Sequence, residues 1–233
     1  MLGLNPKVAV HQLMVKHSIQ PIKKAQMRFW PKLVSQIETK IDKLIKVGFI
    51  KEVKYSKYIV NIIPIKKKNG QISVCVDFRH LNNSCPKDNF SLPIIDLTIN
   101  ATTSHEALSF MVGSLGYNQI WMVPMDEELI AFHTLKSIYY YKVMPLGIKN
   151  AGLIYQHAMQ RIFDDMLHKN VECYVDNLVV KSRKREYHLQ DLCMVFNRLR
   201  RYQFKMNSLK CAFSVTLGKF LGFIFQHRGI EVD

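Results

Sequence analysis

Residues Glu172 to Val180, ECYVDNLVV, decide how the rest of the chain is read. Two apolar runs, VECYV and LVV, flank an acidic-polar pair, so the stretch predicts a tight hairpin with Asp176-Asn177 at its tip. Turn chemistry alone accounts for the pair, because Asp and Asn tolerate left-handed backbone angles and hydrogen-bond their own main chain. Any further role for the carboxylate has to come from its surroundings.

Upstream, Ile154, Tyr155, Ala158, Ile162 and Met166 recur at spacings of three and four, which predicts a helix over 151–166 with Arg161, Asp164 and Asp165 toward solvent. This helix leads straight into the hairpin and covers it. Downstream, the basic loop KSRKRE precedes a second helix over about 187–201, with Leu192, Val195, Phe196 and Leu199 inward. FKMN, CAFSV and KFLGFIF then read as short strands. Nearer the N-terminus, YIVNIIPI and QISVCVDF flank KKKNG, whose Asn-Gly is a strong hairpin signal. Ile72, Val74, Val76 and Phe78 share one face, opposite Ser73, Cys75 and Asp77. The lysines at the tip fit either a solvated turn or a phosphate clamp. A helix is predicted over 33–47 and stopped by Gly48, while residues 1–31 lack a clean period and read as a basic arm or linker. Intermixed helices and mostly antiparallel strands make an α+β fold.

The chain has 233 residues, 48% of them hydrophobic, which is enough to bury a sizeable core. Its 33 Lys and Arg against 18 Asp and Glu leave +15, a balance that favours a polyanion such as nucleic acid, or an anionic membrane face, over a plain solvated surface. Cys75, Cys85, Cys173, Cys193 and Cys211 are too dispersed for a CxxC zinc or redox site and read as reduced thiols. With neither a signal-peptide pattern at the start nor an apolar run of membrane-spanning length, the expectation is a soluble intracellular protein of cytoplasm or nucleus with no membrane partner.

Four segments, IPIKKKNGQISVCVDFRHLN, FMVGSLGYNQIWM, YKVMPLGIKNAGLIYQHAM and YVDNLVVKSR, followed by KCAFSVTLGKFLGFIFQHRGI, closely resemble in order and spacing the successive motifs of reverse transcriptases from gypsy-type long-terminal-repeat retrotransposons. The resemblance implies a right-hand polymerase fold, with fingers at about 32–87 and 120–150 and palm at 88–119 and 151–233. That palm ends at a primer grip, Phe220, Leu221, Gly222 and Phe223. The chain would then be a fragment of a Pol polyprotein, with thumb, RNase H and integrase regions outside it. Implied partners are an RNA/DNA primer-template and a dNTP.

Such enzymes join nucleotides through two Mg²⁺ ions about 4 Å apart, with Mn²⁺ as a substitute. The family holds the metals with an aspartate at the end of a palm strand and a Tyr-x-Asp-Asp hairpin tip. By this resemblance Asp176 is the first hairpin aspartate and the one remaining metal ligand, while the other two positions have become Val112 and Asn177. For the triphosphate, the family's lysine is taken as Lys67, whereas its arginine position is Ser73. Tyr117 takes the place of the residue that excludes a ribose 2′-OH, Leu146-Gly147 lies against the sugar, and Lys210 is the lysine near the incoming phosphates. Trp121 and His133 stand where relatives often carry arginine. The expected function is therefore a reverse-transcriptase-like domain with impaired catalysis. Two alternatives stay open: a nucleic-acid-binding module that keeps the basic cleft, and a residually active polymerase using Asp176 with Asp77 or Asp126.

Overall fold

A computed structural model describes residues 3–15, 20–66, 70–103, 105–114, 116–226 and 229–232. They fall into two compact units, one from Val10–Asp88 with Ile120–Ala151, the other from the segment before Val10, Asn89–Gln119 and the chain from Gly152 onward.

The first unit is built on a five-stranded sheet in the order Ile50–Val53, Ile138–Tyr141, Ala131–His133, Val60–Lys66 and Ile72–Val76. The last two strands form the hairpin expected from KKKNG, with Ile65 opposite Ser73 and Lys66 opposite Ile72. Lys67, Lys68 and Asn69 lie outside the described residues. Beside the sheet runs the helix Pro31–Lys46, which buries Ile37 and Ile41. Proline suits its first position, since that N–H would have no partner anyway. At its far end Gly48 takes φ +77°, the left-handed turn that closes a helix at no steric cost.

The N-terminal segment packs against the body of the chain. Leu4, Val8 and Leu13 are buried, and Val10–His11 pairs in parallel with Trp121–Met122. No local period announces this, because the partner strand is more than a hundred residues away. The strand carries a cost: His11 is buried, and among the described residues neither ring nitrogen finds a hydrogen-bond partner. Burial pushes its pKa from 6.5 down to about 4. The folded state therefore favours neutral imidazole, so its stability is full above 6.5 and declines as pH falls toward 4. The loss is about 2 kcal/mol at pH 5 and about 3 kcal/mol below pH 4. Denaturant titrations at pH 7.5 and 5 should show His11→Leu removing about 2 kcal/mol of the pH dependence. An unchanged pH profile would place the acid sensitivity elsewhere.

The second unit centres on an antiparallel sheet in the order Ala212–Val215, Ala107–Val112, Asn177–Ser182 and Val171–Tyr174. Its inner strands are almost wholly buried, which explains their continuous apolar runs. The helix His188–Arg201 buries Leu192, Val195 and Leu199. The helix Ala151–Phe163 buries Tyr155, Ala158, Met159 and Ile162, but stops three residues short of the predicted end at Met166.

Downstream, KFLGFIF folds over on itself. Leu217–Phe220 and Phe223–Gln226 are joined through Leu221 and Gly222, both at positive φ (54° and 82°), as a two-residue type I′ turn requires. Phe220 and Phe225 pack on Phe110 with ring centroids 6.2 and 6.0 Å away, joining this hairpin to the sheet core of Leu108 and Val179. FKMN is not a strand; it contributes one bridge, Met206 to Gly113.

Candidate active site

The hairpin predicted from ECYVDNLVV is present, with its tip one residue earlier than expected. Tyr174 already pairs with Asn177, so the two-residue turn is Val175-Asp176. Positive φ falls on Val175 (51°) rather than on the aspartate or asparagine. A β-branched side chain resists that region, at a cost of order 1–3 kcal/mol. Gln156, fully buried on the helix Ala151–Phe163, offsets the strain. Its Oε1 accepts from Val175 N at 2.6 Å, and its Nε2 donates to Cys173 O at 3.3 Å. A second restraint acts from the neighbouring strand, where Gly113 N donates to Asp176 O at 3.0 Å. The turn is held from both sides.

Val112 lies directly opposite Asn177 in the antiparallel register. Opposed residues share a face with Cβ atoms about 5 Å apart, so Val112, Asn177 and the adjoining Asp176 form one cluster. Only one member is a carboxylate. Asn177 Nδ2 donates to Asp176 Oδ1 at 3.3 Å, so the amide now partners the carboxylate beside it.

Around the cluster, Val112 O accepts from Asn207 N at 2.8 Å, and Asn207 caps the short turn Ser208–Lys210 with its side chain accepting from Leu209 N. Lys210 is thereby carried on a segment bonded to the Val112 strand. Tyr117 sits in the 3-10 turn Gly116–Gln119 with its ring edge-on to Tyr155, centroids 5.6 Å apart. Burial raises the Tyr117 phenol, and the Asp176 charge raises it further. Buried Gln119 braces this turn, donating to Ser114 O at 2.6 Å and Lys205 O at 3.0 Å and accepting from Lys205 N at 2.8 Å.

Tyr155 is a misfit in the layer beneath. Its hydroxyl is buried and has no partner among the described residues, and a Cβ added to Gly113 would stand 2.3 Å from it. Burial, then the Asp176 charge, drive its ionisation far above the usual range. Tyr155→Phe should therefore raise stability by about 1 kcal/mol, read as a higher melting temperature. A fall would mean that the hydroxyl has a partner.

Ser73, Leu146 and Gly147 belong to the first unit. Ser73 is half-buried opposite Ile65, Leu146 is exposed, and Gly147 takes φ +99° with its carbonyl accepting from Asn82 Nδ2 at 2.8 Å. The other carboxylates considered as substitute ligands are engaged in that same unit. Asp77 is buried between Arg79 and Lys24, with contacts of 2.8 to 2.9 Å; the Arg79 guanidinium first, then Lys24, hold it well below the usual carboxylate range. Asp126 accepts from Leu13 N at 2.7 Å.

A two-dication centre wants several anionic oxygens at one point. Among the described residues no three or more His, Cys, Asp or Glu side chains come together in a way that could hold a metal, and the Val112 cluster supplies one carboxylate. The described residues around Asp176 do not fit a two-metal centre.

Sequence reasoning passed over three contributors. Gln156 and Gln119 act through the main chain of distant segments, which no local pattern reveals. Lys181, read as part of the basic loop KSRKRE, is buried in the strand Asn177–Ser182 and paired at 2.7 Å with buried Glu172.

The protein-family model for reverse transcriptase (RNA-dependent DNA polymerase) matches residues 65–225. The retrovirus-related Pol polyprotein from transposon opus of Drosophila melanogaster is 28% identical over 236 residues, covering 99% of this chain and 23% of that protein. The transposon Tf2-7 polyprotein of Schizosaccharomyces pombe is 25% identical over 202 residues, covering 85% of this chain. The chain thus spans less than a quarter of the length of these relatives, 23% of one and 15% of the other. Among solved structures, the foamy viral protease-reverse transcriptase in complex with RNA/DNA hybrid superposes with a TM-score of 0.88 at 20% identity, covering 100% of this chain and 31% of that one. The same viral protein in complex with dsDNA gives 0.86, again at 20% identity. These likenesses establish the right-hand polymerase fold. Among the described residues no helix is long and apolar enough to cross a membrane.

Proposed function

Because this chain belongs to the reverse transcriptase (RNA-dependent DNA polymerase) family, we propose that it is a domain of a gypsy-type retrotransposon Pol polyprotein that binds primer-template and transfers nucleotides poorly or not at all. One observation carries the proposal: Val112 and Asn177, which the resemblance sets at the family's aspartate positions, face each other beside a single carboxylate, Asp176. Divalent ions held by such a cluster would supply charge stabilisation to the attacking hydroxyl and the leaving phosphate. Here Val112 offers no ligand and Asn177 only a neutral oxygen. Ser73 adds to the deficit, supplying one neutral hydrogen bond where a bidentate guanidinium would grip the triphosphate.

Binding is a separate matter from turnover. Neutralising a nucleic-acid backbone needs cations only, and the chain carries +15. Losing carboxylates from a cleft lowers its repulsion of phosphate. Fingers over 32–87 with 120–150, a palm over 88–119 with 151–233, and a primer grip at Phe220, Leu221, Gly222 and Phe223 follow the same reading. By the same resemblance Tyr117, Leu146, Gly147 and Lys210 hold the family's nucleotide-subsite positions, as does Lys67, which lies outside the described residues. The complexes of the foamy viral enzyme with RNA/DNA hybrid and dsDNA support a duplex as the partner.

The test is an RNA–DNA duplex titration by fluorescence anisotropy at low salt, run beside primer extension on the same duplex. Salt-sensitive binding without extension supports the proposal. Extension at the rate of an intact relative removes the impairment, and absence of binding at low salt removes the duplex partner.

A further inference from the structure

The end of the palm-like sheet far from Asp176 carries a cavity of about 670 Å³. It opens where the strand Asn177–Ser182 runs out, the turn before Val171 begins and the helix Ile95–Thr102 stops. At about 3.3 Å per residue, Ser182 stands roughly 17 Å along the strand from Asn177. This cavity is separate from the Val112 cluster.

Its acidic and carbonyl groups are already satisfied. Behind the lining, Glu172 is held by two residues that do line the cavity, Lys181 at 2.7 Å and His168 at 3.1 Å. Asp191 accepts from Asn170 Nδ2 at 3.2 Å and from the Ser182 hydroxyl. At the end of the helix, Ala101 O accepts from Lys181 Nζ and Asn100 O from the Thr103 hydroxyl, both at 2.6 Å.

The cations are less occupied. Arg183 is exposed, and among the described residues its guanidinium has no hydrogen bond or ion pair; Lys169 Nζ reaches only the backbone oxygen of Asp165 at 3.0 Å. His105 records the imbalance: burial lowers its pKa, and the charges of Lys181 and Arg183 lower it further against the pull of the Thr103 and Thr102 carbonyls. A polar cavity with positive potential and unspent donors is a setting for an oxyanion.

We propose that this cavity is a phosphate site in which Lys169 and Arg183 hold a phosphodiester of the nucleic-acid backbone, separate from the Asp176 end of the sheet. Arg183 supplies a planar two-point fork and Lys169 a mobile point charge. The duplex-binding reading enters only in naming the source of the phosphate.

Two arms test it on the full chain. In the first, inorganic phosphate is titrated at fixed pH and ionic strength while the ring C–H signals of His105 and His168 are followed by NMR. Saturable shifts are expected, weakened at least about 10-fold in Lys169→Gln/Arg183→Gln but not in Lys43→Gln/Lys46→Gln, which removes equal charge from an exposed helix face. Shifts that never saturate, or that are equal in all three proteins, overturn the site. The second arm measures RNA–DNA duplex affinity against salt. Loss of two phosphate contacts should flatten the log–log slope by about 1.8 in the cavity variant relative to the helix variant. Saturable phosphate binding with no slope difference would overturn the backbone source and leave a free phosphate compound as ligand. If the unmodified chain binds no duplex at all, the duplex-binding reading fails while the first arm still decides the cavity.

Discussion

Val112→Asp, Asn177→Asp and Ser73→Arg made together should turn a chain with little or no primer extension into one that extends an RNA template at least about 10³-fold faster with Mg²⁺. The magnitude follows from the charges restored. Removing one group that stabilises transition-state charge typically costs about 10² to 10³ in rate, and each ~1.4 kcal/mol is a factor of ten. The substitutions place two carboxylates in the Asp176 cluster and, on the proposed reading, a guanidinium at the position where the family grips the triphosphate. The geometry is ready to receive the two carboxylates, because Val112 and Asn177 are half-buried and opposed across the strand pair. If the triple variant folds, binds duplex and still does not extend, the lost ligands are not what silences the chain.

A second large effect is expected from Lys181→Met. Lys181 Nζ donates to Glu172 at 2.7 Å and to Ala101 O at 2.6 Å, and both charged side chains are almost fully buried. Deleting one partner leaves a carboxylate buried with only the exposed His168 beside it, at a cost of about 3–5 kcal/mol. Replacing both, Glu172→Leu with Lys181→Met, removes the stranded charge and should recover at least half of that loss. Denaturant midpoints for the single and double variants decide it. A single variant as stable as the parent would mean that the pair is solvated.

That pair illustrates where sequence reading stopped. Helix positions, the KKKNG hairpin and the ECYVDNLVV hairpin were legible because period and turn chemistry are local. The exact tip was not: a valine at φ +51° contradicts its own preference and persists because Gln156 and Gly113, remote in sequence, hold the turn. Lys181 opens the basic run KSRKRE, and only the fold places Glu172 and Ala101 around it. The N-terminal segment, without a period, becomes a strand through Trp121–Met122. Of the candidate site, the cluster of Val112, Asp176 and Asn177 was anticipated from family motifs, and pairing brings it together.

Manganese binding, followed by electron paramagnetic resonance of free Mn²⁺, tests the central claim most directly. The chain as it stands should show no saturable site up to about 1 mM, corresponding to less than about 4 kcal/mol of binding, whereas Val112→Asp/Asn177→Asp should bind at least about tenfold more tightly. Saturable binding by the unmodified chain that Asp176→Asn abolishes would contradict it.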